Sequence, residues 1–357
     1  TFACHSITQD APVSSFSLPS SCWYACPMLQ KKTKKLFKDM RTNANAGNEG
    51  KEYIICPDTT INVGNVISPF LNVFAGQFPI IPVGKNNVIK CGDDGARSNN
   101  CIIKSFFASS LLVSQASTSG LGVSNNNVSG TVIQGLTFTG TMYKPFWILG
   151  NLLGLAGSAV SLAVPGEMVF DDCAFVDLFG GGIASISPIS FVPEEQFPRG
   201  SGAMTIRNSY FKNIGYQSTG FINNLHYLSI ENSIFENIQY VRDPKVDFNL
   251  MGFLFGNIGA GFKLNDVCIV DSTIAQAVVA VALYDNLTVP SYPVELTSIS
   301  MNNVDVVEIE SELTFDGVCE GGFAYLWFLE REFYNCTMLA DVSACTSTAS
   351  TYTPQAV

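Results

Sequence analysis

The chain has 357 residues, 47% of them hydrophobic and only 14% charged, with a formal net charge of -11. That sign excludes nucleic acid as a partner. So little charge, against roughly 25% in a typical soluble domain, fits a surface buried in an assembly, covered by glycan, or built from uncharged Asn, Ser and Thr.

Eleven cysteines and the Asn-x-Ser/Thr sequons at Asn127, Asn286 and Asn335 point to an oxidising, secretory compartment. The odd count leaves at least one thiol free or bonded to another chain. The chain starts at Thr1, which is read as a mature form after removal of a signal peptide.

In chain order, residues 1–50 form an N-terminal segment with a cap helix over 27–45. There Met28, Leu29, Leu36, Phe37 and Met40 have approximately helical spacing, and Lys31, Lys32, Lys34, Lys35, Lys38 and Arg41 crowd the other face. Tyr53–Val63 opens the repeating body, which spans 51–345. Phe146–Val164 is apolar and long enough to cross a bilayer. Its glycines and bracketing prolines favour a buried loop followed by a core strand over Ser158–Val164, so a membrane span is not expected. The polar tail 346–357 has no core pattern.

A nine-residue pattern sets the fold. Ile206-Arg-Asn-Ser-Tyr-Phe-Lys-Asn-Ile214 recurs 24 residues later as Ile230-Glu-Asn-Ser-Ile-Phe-Glu-Asn-Ile238. Weaker copies begin at Ile133, Phe170, Leu264, Met301 and Phe333. Positions one and six are large and apolar. Position three is Gly135, Asp172, Asn208, Asn232, Asp266, Asn303 or Asn335, residue types that tolerate left-handed backbone angles. Two short apolar strands thus flank a bend, and one copy cannot bury its apolar face alone. The reading is all-β: a single-stranded right-handed parallel β-helix with an N-terminal capping helix and loop insertions. Stacking places Arg207 over Glu231 and Lys212 over Glu236, with Asp171 beyond Arg207 in the same column, and Asn213 over Asn237 as a polar step.

The order of cap helix, Tyr53-Ile-Ile-Cys-Pro-Asp-Thr-Thr60 and Lys90-Cys-Gly-Asp-Asp-Gly-Ala-Arg-Ser-Asn-Asn-Cys101 resembles the secreted right-handed β-helix repeat proteins of diatoms and related algae, within the pectin-lyase-like superfamily. The likeness covers roughly residues 20–345 and implies a β-helix in an extracellular or cell-surface setting; it implies no activity. Cys91 and Cys101 enclose a polar, Gly-containing loop and are expected to form a local disulfide, the alternative being a hydrogen-bonded turn with two thiols. Cys173 and Cys268 fall inside repeat copies and are expected to be buried or packed in the ladder.

Catalytic sets are sparse. A glycosidase needs two suitably spaced carboxyls; Asp171, Asp172 and Asp177 lie close together, but Asp172 is a bend residue and Asp171 faces Arg207. A lyase needs a cation site and an Arg or Lys base; Arg207 and Lys212 face Glu231 and Glu236, and Asp93 and Asp94 are read as loop-forming. Two distant histidines, His5 and His226, make no metal or nucleophile set, and Gly256–Gly261 reads as a turn. No cofactor and no metal are expected. The chain is expected to be a non-catalytic extracellular structural protein that self-associates or binds other extracellular proteins. The alternative is a β-helix that binds or degrades polysaccharide.

Overall fold

The computed structural model describes residues 22–25, 40, 50–62, 85–104, 112–114, 129–140, 160–162, 167–178, 183–185, 203–216, 222–224, 227–240, 253–259, 261–275, 277–283, 294–307, 324–328 and 331–337. The chain winds into successive coils that lay their strands on three shared faces, with two faces described in the first coil. Strand β1 (Cys22–Ala25) precedes the first coil, which holds β2 (Glu52–Ile55) and β3 (Thr60–Asn62). The second coil holds β4 (Val88–Cys91), β5 (Cys101–Lys104) and β6 (Leu112–Ser114). The third holds β7 (Thr131–Gln134), β8 (Leu136–Thr139) and β9 (Val160–Leu162), and the fourth β10 (Glu167–Asp171), β11 (Ala174–Val176) and β12 (Ile183–Ser185). The fifth holds β13 (Ala203–Arg207), β14 (Tyr210–Tyr216) and β15 (Ile222–Asn224).

From the sixth coil the first two faces merge into single long strands. These are β16 (Tyr227–Tyr240) with β17 (Phe253–Gly259), and β18 (Gly261–Ala275) with β19 (Ala277–Leu283). The eighth coil holds β20 (Val294–Val307) and β21 (Ala324–Phe328), after which β22 (Arg331–Thr337) turns back antiparallel to β21. Every other pairing is parallel, between strands one coil apart. This is a right-handed parallel β-helix, the hand that strand twist dictates for parallel crossovers.

The repeat explains the register. Phe170 pairs with both Ile133 and Ile206, Ile206 with Ile230, and Ile230 with Leu264. All five are fully buried. Beside them runs the sixth-position column, Phe138, Phe175, Phe211 and Phe235. Its rings stack with centroids 5.1, 4.6 and 4.4 Å apart and nearly parallel planes. Each such ring contributes about 1.5–3 kcal/mol by burial.

Three expectations need correction. The copy placed at Met301 is out of phase: Leu264 pairs with Leu296, and Met301 pairs with Ile269 at the sixth position. Ser298 takes the bend with φ 52°, and because Ser is outside the Gly/Asp/Asn set, the pattern slipped to Asn303. The copy placed at Phe333 is no coil; Asn335 opposes Leu326 in the antiparallel β21–β22 ladder. Gly256–Gly259 is the end of strand β17 where a turn was expected, and β18 starts at Gly261 on another face.

At the start of the chain, Met40 is helical and joins the core cluster; the rest of the expected cap helix lies outside the described residues. So do Asn127, Asn286, the tail 346–357 and most of 146–164, within which β9 is a strand. Among the described residues no helix is long and apolar enough to cross a membrane.

Candidate functional site

The polar groups concentrate along the two corners that flank the second face. At the first corner Asp58, Asn100, Gly135, Asp172, Asn208, Asn232, Asp266 and Ser298 all adopt positive φ. Bend amides donate to the carbonyl just before the bend of a neighbouring coil: Gly135 to Asp171, Asp172 to Arg207 and Asn208 to Glu231, at 3.0–3.1 Å. The second corner repeats the device with Gly140, Asp177, Asn213, Asn237, Asp271 and Asn303.

Side chains continue these columns. Asn232 donates to Asn208, and Asn237 to Asn213, both at 2.8 Å. Asn213 donates to Asp177 and Asn303 to Asp271. Just inside the corners a buried serine column does the same work. Ser209 and Ser233 donate to the carbonyls of Arg207 and Glu231 and accept amides from coils one step away.

Six charges on this ridge are committed to one another. Asp171, 9% exposed, accepts from Arg207 at 2.9 Å and from Asn208 at 2.8 Å. Arg207 does lie over Glu231 in register, but its guanidinium turns to Asp171. Glu231 instead meets Lys263, one coil further on, at 3.0 Å. The reason is desolvation: the more buried carboxylate is the costlier one to leave unpaired.

Lys212 lies over Glu236 and pairs with it at 2.7 Å, and Tyr210 donates its hydroxyl to the same carboxylate. The hydrogen bond to Asp171 pushes Arg207 further into its charged range, as the one to Glu236 does for Lys212. Lys263 and Ser229 hold the Glu231 carboxyl below its usual range. Burial opposes the charged form of Glu236, yet Lys212 and Tyr210 bring its carboxyl below the usual range too. Burial and Glu236 push Tyr210 up to about 12, far from a phenolate base near neutrality.

The Cys91–Cys101 disulfide is present and closes a strap over the first corner. Asp94 accepts from the Ala96 amide at 3.1 Å and from Asn99, which hold its carboxyl below the usual range. Asn99 also caps the Cys91 carbonyl. The strap's short 3-10 turn (Arg97–Asn99) crosses coil three and reaches coil four. There the Arg97 amide donates to Asp172 at 2.8 Å, and its guanidinium donates to the Cys173 carbonyl at 3.2 Å. Cys173 is a buried thiol whose pKa burial raises to about 12. Cys268, expected to be merely packed, is disulfide-bonded.

Among the described residues no three His, Cys, Asp or Glu side chains come together as a metal site. Arg97, Lys263 and Tyr210 escaped the sequence reading. Arg97 sits in an insertion with no repeat to betray it. The second corner was visible, since position eight of the nine-residue pattern reads Gly140, Asp177, Asn213, Asn237 and Asp271.

Fold and ridge together define a β-helix protein whose outer charges pair from coil to coil. No family model matches the chain, and no curated protein matches it. Among solved structures, the A-module of mannuronan C-5 epimerase AlgE6 from Azotobacter vinelandii is similar over 81% of this chain and 94% of that one. The identity is 8% and the TM-score 0.21.

Proposed function

We propose that the chain is a secreted, non-catalytic structural protein of the kind its sequence resembles among the algal β-helix repeat proteins. It acts as a rod that builds a coat, wall or filament by contact with copies of itself or with other extracellular proteins. The observation that supports this reading is the commitment of the ridge charges. Asp171, Arg207, Glu231, Lys263, Lys212 and Glu236 are bound to one another along the rod axis. An acid, base or nucleophile must change its proton or its partner during turnover. Groups locked in cross-coil pairs serve stiffness instead. What the ridge offers a partner is its rows of corner amides, interrupted by the exposed Asp177, Asp266 and Asp271, and a repeating heterologous contact between rods would give an open polymer.

Size-exclusion chromatography with light scattering, run with and without reductant, tests the reading. Self-association rising with concentration is expected; a strictly monomeric species at high concentration contradicts assembly. Screening anionic polysaccharides for new reducing ends and for unsaturated products tests the non-catalytic part. Turnover abolished by Asp171→Asn or Arg207→Ala would replace this reading with that of a polysaccharide-degrading enzyme.

A further inference from the structure

We propose that the Cys91–Cys101 loop is a redox-operated latch that clamps the first four coils into one unit and, when reduced, uncovers the Asp172 carboxylate. The loop leaves coil two and touches three other coils. Asn99 accepts the Asp58 amide of coil one at 2.7 Å, and Asn100 donates to the Asp58 carboxylate at 3.2 Å. Over coil three the contact is so close that a Cβ on Gly135 would lie 2.3 Å from the Gly95 carbonyl oxygen. On coil four Arg97 holds both carboxylate oxygens of Asp172, with its amide at 2.8 Å and its guanidinium at 3.5 Å.

Exposed polar contacts shape the strap, and the disulfide is its one covalent closure. Its residues are polar, its helical turn is three residues long and buries none of them, and Asp93, Asp94, Ser98 and Asn100 are exposed. A short polar loop lacking apolar anchors costs its full ordering entropy, and a covalent closure lowers that cost. The cysteines themselves are fully buried, so exchange requires the strap to lift first.

The chemistry balances with an external dithiol. Its thiolate attacks one sulfur of the pair, forming a mixed disulfide and expelling the other cysteine as a thiolate, which takes up a proton. The second thiol of the dithiol then loses its proton and displaces the remaining cysteine. Two electrons and two protons pass to Cys91 and Cys101, and the dithiol leaves as its own disulfide.

Trypsin reads the latch, because Arg97 lies in the strap. The full-length protein is compared with its Cys91→Ser/Cys101→Ser form, cleavage after Arg97 is followed by mass spectrometry, and coil integrity by far-UV circular dichroism. Cleavage after Arg97 is expected to be at least about tenfold faster in the unlatched form, with the β signal and the sites at Lys212 and Lys263 unchanged. Equal protection of Arg97 in both forms overturns the proposal, since the disulfide then latches nothing. Loss of the β signal also overturns it, since the bond would then staple the whole fold. In the oxidised protein, Asp172→Ala is expected to speed amide exchange at Arg97 about tenfold with the disulfide intact; unchanged exchange contradicts docking on coil four.

Discussion

The first four coils and the last three solve the same corner in different ways. In coils six to eight the corner residues are Asn232, Asp266 and Ser298, the strands run 14 or 15 residues straight through both bends, and no strap crosses them among the described residues. In coils two to four the strands are 3 to 5 residues long, and the corner column is interrupted at Gly135. Glycine relieves the left-handed strain but brings no side-chain amide to pass a hydrogen bond along. The strap lies where that side chain would be, and Arg97 supplies the missing donor to Asp172. A side-chain ladder and a covalent strap are thus alternative ways of tying neighbouring coils at a bend.

The largest effect is expected where the two regions share one element. Phe211 stacks between Phe175 and Phe235 and joins them. Phe211→Ala is expected to cost about 3–5 kcal/mol, measured by urea unfolding. A loss below about 1 kcal/mol would mean the column is not continuous.

Exchanging the corner residues sharpens the contrast. Gly135→Asn keeps a tolerated backbone type but drives a Cβ into Gly95, at a cost of about 1–3 kcal/mol from overpacking. Asn208→Gly loses only the amide bonds to Asp171 and from Asn232, about 0.5–1.5 kcal/mol each. The two costs overlap, so the readout is trypsin cleavage after Arg97, expected to speed up in Gly135→Asn and to stay unchanged in Asn208→Gly; the same cleavage rate in both would erase the distinction between strap and ladder.

Acid separates the regions as well. Glu231 and Glu236 titrate below their ordinary 4.5 in the folded state. A depressed carboxyl stabilises fully above the unfolded value, and that contribution is lost as pH falls through the folded one. Melting temperature is therefore expected to fall between pH 5 and 3 more steeply for the natural chain than for Glu231→Gln/Glu236→Gln, with hydrogen exchange rising first in coils five to seven. Parallel pH profiles would contradict the pairing. The smallest effect is expected from Lys263→Ala, about 0–1 kcal/mol, because its partner Glu231 stays half in water.

The repeat told the fold from residues alone because burial repeats. Ile133, Phe170, Ile206, Ile230 and Leu264 must share a column if each apolar face is to leave water. Partner choice on the outside was less legible. Arg207 has acidic neighbours both above and below it, and only the depth of Asp171 decides between them. The slip at Met301 has the same origin: one serine at a bend carries none of the composition that marked the others. The strap's docking was hidden because an insertion obeys no period, and Arg97 and Asp172, 75 positions apart, share no local signal.

Paired cysteines placed on successive turns probe the stacking itself. In the full-length protein, Asn208→Cys with Asn232→Cys puts two outward side chains on strands about 4.8 Å apart, within the roughly 4.4–6.8 Å a disulfide spans. Oxidation followed by peptide mass spectrometry is predicted to find that bond and none in Asn208→Cys with Ser233→Cys, whose second site points into the core. The opposite result, a bond only in the second pair, would shift the register by one residue, turn the apolar column outward and contradict the fold described.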